Sequence, residues 1–254
     1  MRGGDSVPEF LDASSHGVAA AEPTRWKRTL DGVASASMIL AACLVMTLSW
    51  LGYRRESPNA GHAPPPLPTA PLSLAGAELR GDPTAPAVLI VFSDFQCPYC
   101  RAFAQQTFPK ILKEYVAPGK LLVAFRFFPL SMHPFADPAA RAALCAGEQN
   151  RFWEMHDQLF QSPQLNDSVL IESASAVGLD LKALEACEAK PQTEEAVRED
   201  VRLASDLKAG ATPTSFVGRR AASGVTVLSR ILGAQPYVIF QEAIDKAIRG
   251  GPAK

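Results

Sequence analysis

The chain lacks an excess of either charge. Its 25 Lys and Arg residues are balanced by 26 Asp and Glu, leaving a net charge of −1. There is no basic stripe and no interleaving of aromatic with basic side chains, so nucleic acid is not an expected partner. No glycine-rich phosphate loop is present either, and nothing calls for a nucleotide, flavin or other cofactor. Cysteine is scarce, with 5 in 254 residues. Only Cys97 and Cys100 stand close together. Cys145 and Cys187 are too far apart to supply the second close pair that a ribbon-like zinc site needs, so no metal is expected.

Charge is absent altogether from Val33 to Tyr53. As a helix rising about 1.5 Å per residue, that run covers roughly the 30 Å of a hydrocarbon core. Trp50 and Tyr53 at its far end suit the aromatic belt of an interface. A cleaved signal peptide is the rival reading. Its lead-in would be unusually long, and no small-x-small site directly follows the apolar run. Gly61-His62-Ala63 would place Pro64 just after the cut. An uncleaved anchor over residues 29–55 is therefore expected, behind a disordered tail at 1–28. Arg25, Lys27 and Arg28 against Arg54 and Arg55 favour a cytoplasmic N-terminus only slightly. Residues 56–71 are rich in proline and predict a stiff spacer, long enough to hold a domain about 40 Å from a bilayer. Cys43 falls inside the apolar run. The other four cysteines form an even set that fits an oxidising compartment.

From Leu72 to Gly250 the chain reads as an α/β domain. Ala87–Phe92 is a continuous apolar run of strand length, and Leu121–Phe128 is another. Helical spacing of Phe103, Phe108, Ile111 and Leu112 between them makes a βαβ unit. Residues 134–209 read as helices throughout, with Asp137, Asp180 and Thr193 as candidate caps. Two short strands, Thr214–Val217 and Gly224–Val227, and an amphipathic helix with Val238, Phe240, Ile244 and Ile248 complete the pattern.

The chemistry sits at Cys97-Pro98-Tyr99-Cys100, directly after the first apolar strand and at the start of a helix. Pro98 suits the first helical position, where its missing N–H is no loss. Cys97 then lies at the positive end of the helix, which favours thiolate over thiol. Cys100 lies one turn further in, placed to attack a mixed disulfide formed at Cys97. Thr212-Pro213 heads a strand. Taken alone, that proline reads as an ordinary trans residue.

Taken together, GDPTAPAVLIVFSDFQCPYC, FRFFPLSMHP, FWEMHDQLF and GATPTSFVG resemble the DsbA-like thiol:disulfide oxidoreductases of the thioredoxin superfamily, over roughly Leu72 to Gly250. The resemblance implies a thioredoxin fold with an inserted helical domain at about 134–209. It implies Cys97 as nucleophile, Cys100 as resolving thiol, and Pro213 as a cis-proline beside them, with Thr212, Pro98 and Tyr99 lining the substrate contact. It also implies disulfide chemistry on exported polypeptides and re-oxidation by a membrane partner, DsbB-like or VKOR-like. Some members carry a second bridge in the insertion, and a structural disulfide between Cys145 and Cys187 is expected on that ground; two separate buried thiols are the alternative.

The pattern departs at Val91, where relatives often carry an acid thought to shuttle protons for the inner thiol. Strand alternation directs the neighbouring Asp94 to the opposite side. His156 reads as a packed residue, and His133, in a loop before Pro134, as a candidate visitor to the site. Arg101 reads equally as a charge beside the cysteines or as a solvated helix residue. The expected function is a single-pass protein of the cell inner membrane that forms disulfides on its periplasmic side. A reductase or isomerase of the same fold, or a redox-inert peptide-binding module, is the alternative.

Overall fold

The computed structural model describes residues 40–50 and 65–250, in two compact units divided between Ala63 and Pro64. In the first unit, residues 40–50 form a helix (α1), and Leu40, Leu44, Val45, Met46, Leu48 and Trp50 are all exposed on it. The remainder of the expected Val33–Tyr53 span, the 1–28 tail and most of the 56–71 spacer lie outside the described residues. Among the described residues, no helix is long and apolar enough to cross a membrane.

The second unit is built on a five-stranded sheet ordered β1-β3-β2-β4-β5. These strands are β1 (Glu78–Arg80), β2 (Ala87–Ser93), β3 (Leu121–Phe127), β4 (Thr214–Ala221) and β5 (Gly224–Leu232). β2 and β3 run parallel and every other pairing is antiparallel. All residues of β2 and β3 are buried, as expected for central strands covered on both faces. β1 is too short and too polar to announce itself by pattern. β4 and β5 run past Val217 and Val227; Arg219 and Arg220 sit on the partly exposed hairpin end and Arg230 toward the far end of β5, where apolar alternation fails.

One long helical segment crosses from β2 to β3. It comprises α2 (Pro98–Ala102), a π-helical turn at Phe103–Thr107, α3 (Phe108–Ile111) and a second π turn at Leu112–Val116. Pro109 has no N–H to continue an α ladder, and the first π turn lies directly ahead of it. Phe103, Phe108, Ile111 and Tyr115 from this segment pack with Phe240, Ile244 and Ala247 of α9 (Tyr237–Arg249) on Ala87, Leu89 and Val91. On the other face, Val88, Ile90, Phe92 and Leu122 pack against Ala204 and Leu207 at the end of α8 (Pro191–Asp206).

The insertion contributes α4 (Ala136–Glu148), α5 (Phe152–Gln161), α6 (Asp167–Ala176) and α7 (Leu181–Glu188), ahead of α8. α4 presents Ala139, Ala140, Ala142, Ala143 and Ala146 to its neighbours, all buried. Small side chains there let α5, α7 and α8 approach it closely. Cys145 of α4 and Cys187 of α7 are joined by a disulfide, with Cα atoms 5.8 Å apart. Neither is therefore available for a four-thiolate metal site. Asp180 caps α7 through Lys182 and Ala183 N–H. The other two expected caps lie inside their helices. α4 starts one residue before Asp137, which instead pairs with Arg141 one turn on. α8 starts at Pro191, and the Thr193 hydroxyl donates to the Cys187 carbonyl.

Contacts with the domain reach back into the proline-rich segment. Pro65 and Pro66 carbonyls accept from the Arg230 guanidinium, and Leu72 bridges to Val225 on the edge strand. Gly224 makes that crossing feasible, because with φ of 140° a side chain there would put Cβ 2.2 Å from the Leu72 carbonyl oxygen.

Arg126 ties these parts to the sheet. Its guanidinium is buried, 2.7 Å from Asp200 of α8, and it donates to the Ser73 and Ala75 carbonyls. Asp200 also accepts from Phe127 N–H at 2.9 Å. Removing one partner of such a buried pair leaves the other unmatched, at a cost of about 3–5 kcal/mol. Asp200→Ala is expected to lower unfolding free energy in urea by that amount. A loss below about 1 kcal/mol would mean that the pair does not hold α8 to the sheet.

Candidate active site

β2 ends at Ser93, and the four residues that follow turn the chain into α2. Asp94 governs that turn. Its carboxylate is fully buried; Oδ1 accepts from the N–H of Gln96 at 2.7 Å and of Cys97 at 3.2 Å. Oδ2 accepts from Leu130 N–H at 2.9 Å and lies 2.7 Å from His133 Nδ1. Gln96 adds a second tie, since its side-chain oxygen accepts from Phe135 N–H at 2.7 Å. The cysteine turn is thus fastened to the 129–135 loop. Ser93 ends the strand, and Asp94 does not line the cavity that Val91 borders. Released from the pleat, its carboxylate faces the orphan N–H groups ahead of the helix.

Cys97 is the N-cap residue of α2 and Pro98 opens the helix. Both cysteines are free thiols and both are buried. The Thr212–Pro213 peptide is cis, and the Cys97 sulfur lies 3.5 Å from the Thr212 carbonyl oxygen. Thr212 and Pro213 therefore stand directly against the outer thiol. The Thr212 hydroxyl is buried and makes no hydrogen bond of normal geometry. Tyr99, between the two cysteines, is 66% exposed.

The two thiols are driven in opposite directions. A hydrogen bond from the Cys100 thiol, aided by the backbone N–H groups of Cys100 and Tyr99, pulls the Cys97 pKa down to about 5. Burial pushes the Cys100 thiol well above its ordinary range, and the neighbouring Cys97 sulfur adds to that. The Ser93 hydroxyl and the Asp94 N–H, at 3.4 Å, face the Cys100 sulfur and partly oppose the rise. At neutral pH the reduced pair is thus an outer thiolate beside an inner thiol.

Val91 shares a small cavity with Ser93, Phe103, Phe125, His156 and Phe160. No carboxylate lines that space. His156 is packed among Phe95, Phe125, Trp153 and Phe160, with ring centroids 4.9 to 5.9 Å away. Burial lowers its pKa, although Asp157 hydrogen-bonds its Nδ1. Arg101 is half-buried beside the site. Sequence reasoning missed Ser93 and the Asp94 anchor. The usable signal for Asp94 was an aspartate placed two and three residues before N–H groups of a predicted helix start.

In the reduced protein, thiolate absorbance should titrate with a midpoint near 5, well below the roughly 8.5 of an ordinary cysteine. That signal should be absent from Cys97→Ser and its loss complete at low pH. A midpoint near 8.5 would contradict the electrostatic account of the helix start.

The thioredoxin family model matches residues 75–233, more than half of the chain. The solved structure of Wolbachia pipientis alpha-DsbA1 is 26% identical, with a TM-score of 0.61 over 70% of this chain and 93% of that one. Disulfide bond formation protein D of Bacillus subtilis is 25% identical over 194 residues, which is 70% of this chain and 80% of that protein. A Salinispora tropica protein named Na(+)/H(+) antiporter NhaA 3 is 35% identical over 145 residues, 56% of this chain. The match spans 22% of that antiporter and 33% of a similar one from Mycobacterium, so most of their length has no counterpart here. The chain belongs to the thioredoxin family, among its DsbA-like thiol:disulfide oxidoreductases.

Proposed function

We propose that this protein is a membrane-anchored oxidase that forms disulfides in exported polypeptides by dithiol–disulfide exchange at Cys97 and Cys100. The observation that carries this reading is the opposed acidity of the two thiols. A stabilised Cys97 thiolate favours the reduced pair, which makes the Cys97–Cys100 disulfide a strong oxidant.

In the oxidised protein, a substrate thiolate attacks Cys97 Sγ. The Cys97–Cys100 bond breaks, a substrate–Cys97 disulfide forms, and Cys100 departs and takes up a proton, in keeping with its raised pKa. A second substrate thiolate then attacks the substrate sulfur of the mixed disulfide. The substrate leaves with its disulfide, Cys97 leaves as the stable thiolate, and two electrons have passed to the protein. The cis Thr212–Pro213 peptide, with Pro98 and the exposed Tyr99, would hold the extended substrate against Cys97. Re-oxidation is assigned to a DsbB-like or VKOR-like membrane partner. There, Cys97 attacks the partner's disulfide and Cys100 displaces it, giving up its proton without a carboxylate at position 91.

The reduction potential tests the direction of transfer. For the Pro64–Lys254 unit in glutathione buffers, a value well above thioredoxin's roughly −270 mV is expected. A value at or below that level would make the protein a reductase. A redox-inert peptide-binding module would exchange no electrons with glutathione at all.

Membrane attachment and a periplasmic location rest on the charge-free Val33–Tyr53 run, on the exposed apolar face of α1, and on the chemistry itself, which needs an oxidising compartment. Alkaline phosphatase fused after Pro71 should be active and should sediment with membranes. An inactive fusion paired with an active cytoplasmic reporter would reverse the topology.

A further inference from the structure

We propose that His133 acts through the buried Asp94 carboxylate to set the stability of the Cys97 thiolate, as the cation that neutralises Asp94 beside the sulfur. This deepens the reading of Cys97 as the attacking thiol and rests on it.

Asp94 is a charged group placed where a thiolate forms. Its side chain is fully buried, and it receives the N–H of Cys97 itself. A second negative charge there would oppose ionisation of the sulfur. Four donors surround the carboxylate. Those of Gln96, Cys97 and Leu130 are neutral backbone amides. The fourth, His133 Nδ1 at 2.7 Å, is the one among them able to carry a positive charge.

The other charged groups facing this pair are already matched. His133 opens on a groove that also exposes Asp137, Arg198 and Arg202. Asp137 pairs with Arg141, Arg198 with Glu194, and Arg202 with Glu195. Cys100 faces the backbone N–H of Asp94 rather than its carboxylate.

Geometry alone does not require a histidine here. Leu130 N–H and the Gln96–Phe135 hydrogen bond tie the same two loops without it. What His133 adds is charge, and its partial exposure, with 19% of the side chain accessible, lets it exchange a proton with solvent. Protonated, it leaves the Asp94–His133 pair neutral and the thiolate unopposed. Deprotonated, it leaves the carboxylate's charge on the sulfur, and the disulfide becomes a weaker oxidant.

His133→Asn separates charge from hydrogen bonding, because an asparagine amide can still donate to Asp94 but cannot ionise. In the full-length reduced protein, His133→Asn should raise the Cys97 pKa by about one unit. The equilibrium constant for oxidation of glutathione at neutral pH should fall about tenfold with it. His133→Gln should behave in the same way. Adding Asp94→Asn to His133→Asn should restore a low Cys97 pKa, since no carboxylate then remains to be neutralised. A His133→Asn protein that titrates like wild type, or a double variant that stays shifted, would overturn the proposal. The wild-type titration is read separately: an ordinary Cys97 pKa there removes the oxidase reading, whereas a low wild-type value with unshifted variants removes only the role of His133.

Discussion

The first turn of a helix has N–H groups that no carbonyl of its own can reach, and this site is organised around how they are satisfied at α2. The carboxylate of Asp94 takes those of Gln96 and Cys97. The sulfur of Cys97 faces those of Tyr99 and Cys100. Two acidic groups thus share one helix start, the Asp94 carboxyl and a thiol that appears only on reduction. Stabilising the second requires that the first be compensated, which couples the chemistry of Cys97 to the loop that carries His133.

The cysteine turn is also held from behind by packing. Phe95 leaves the same turn and stacks on Phe125 and Phe160, linking the sheet to α5 of the insertion. Cys97 and Cys100 belong to the same buried cluster as the alanine face of α4. The insertion therefore forms one wall of the site and excludes water from the inner thiol. Burial of Cys100 and exposure of the Tyr99 rim follow from a single arrangement, in which α2 projects its first turn past the edge of the insertion.

Much of this was legible in residue order. The continuous apolar runs of β2 and β3, the CPYC turn between them and the helical spacing in the insertion all reflect strong local preferences that tertiary contacts reinforce. Asp180 was readable as a cap because nothing competes for its side chain. Asp137 and Thr193 look like caps in sequence, yet both sit within the first turn of their helices, where Asp137 meets Arg141 and Thr193 meets the Cys187 carbonyl. β1 escaped notice because three residues cannot display an alternation. The partners of Asp94, Leu130 and His133, lie far along the chain. Long-range polar partners of that kind leave no periodic trace.

The proline-rich segment that reaches Leu72 does more than connect. By lying along β5 between Arg230 and Val225, it covers the open edge of the sheet with residues that include prolines, which offer no N–H for strand pairing. An extended polypeptide is thereby denied that edge.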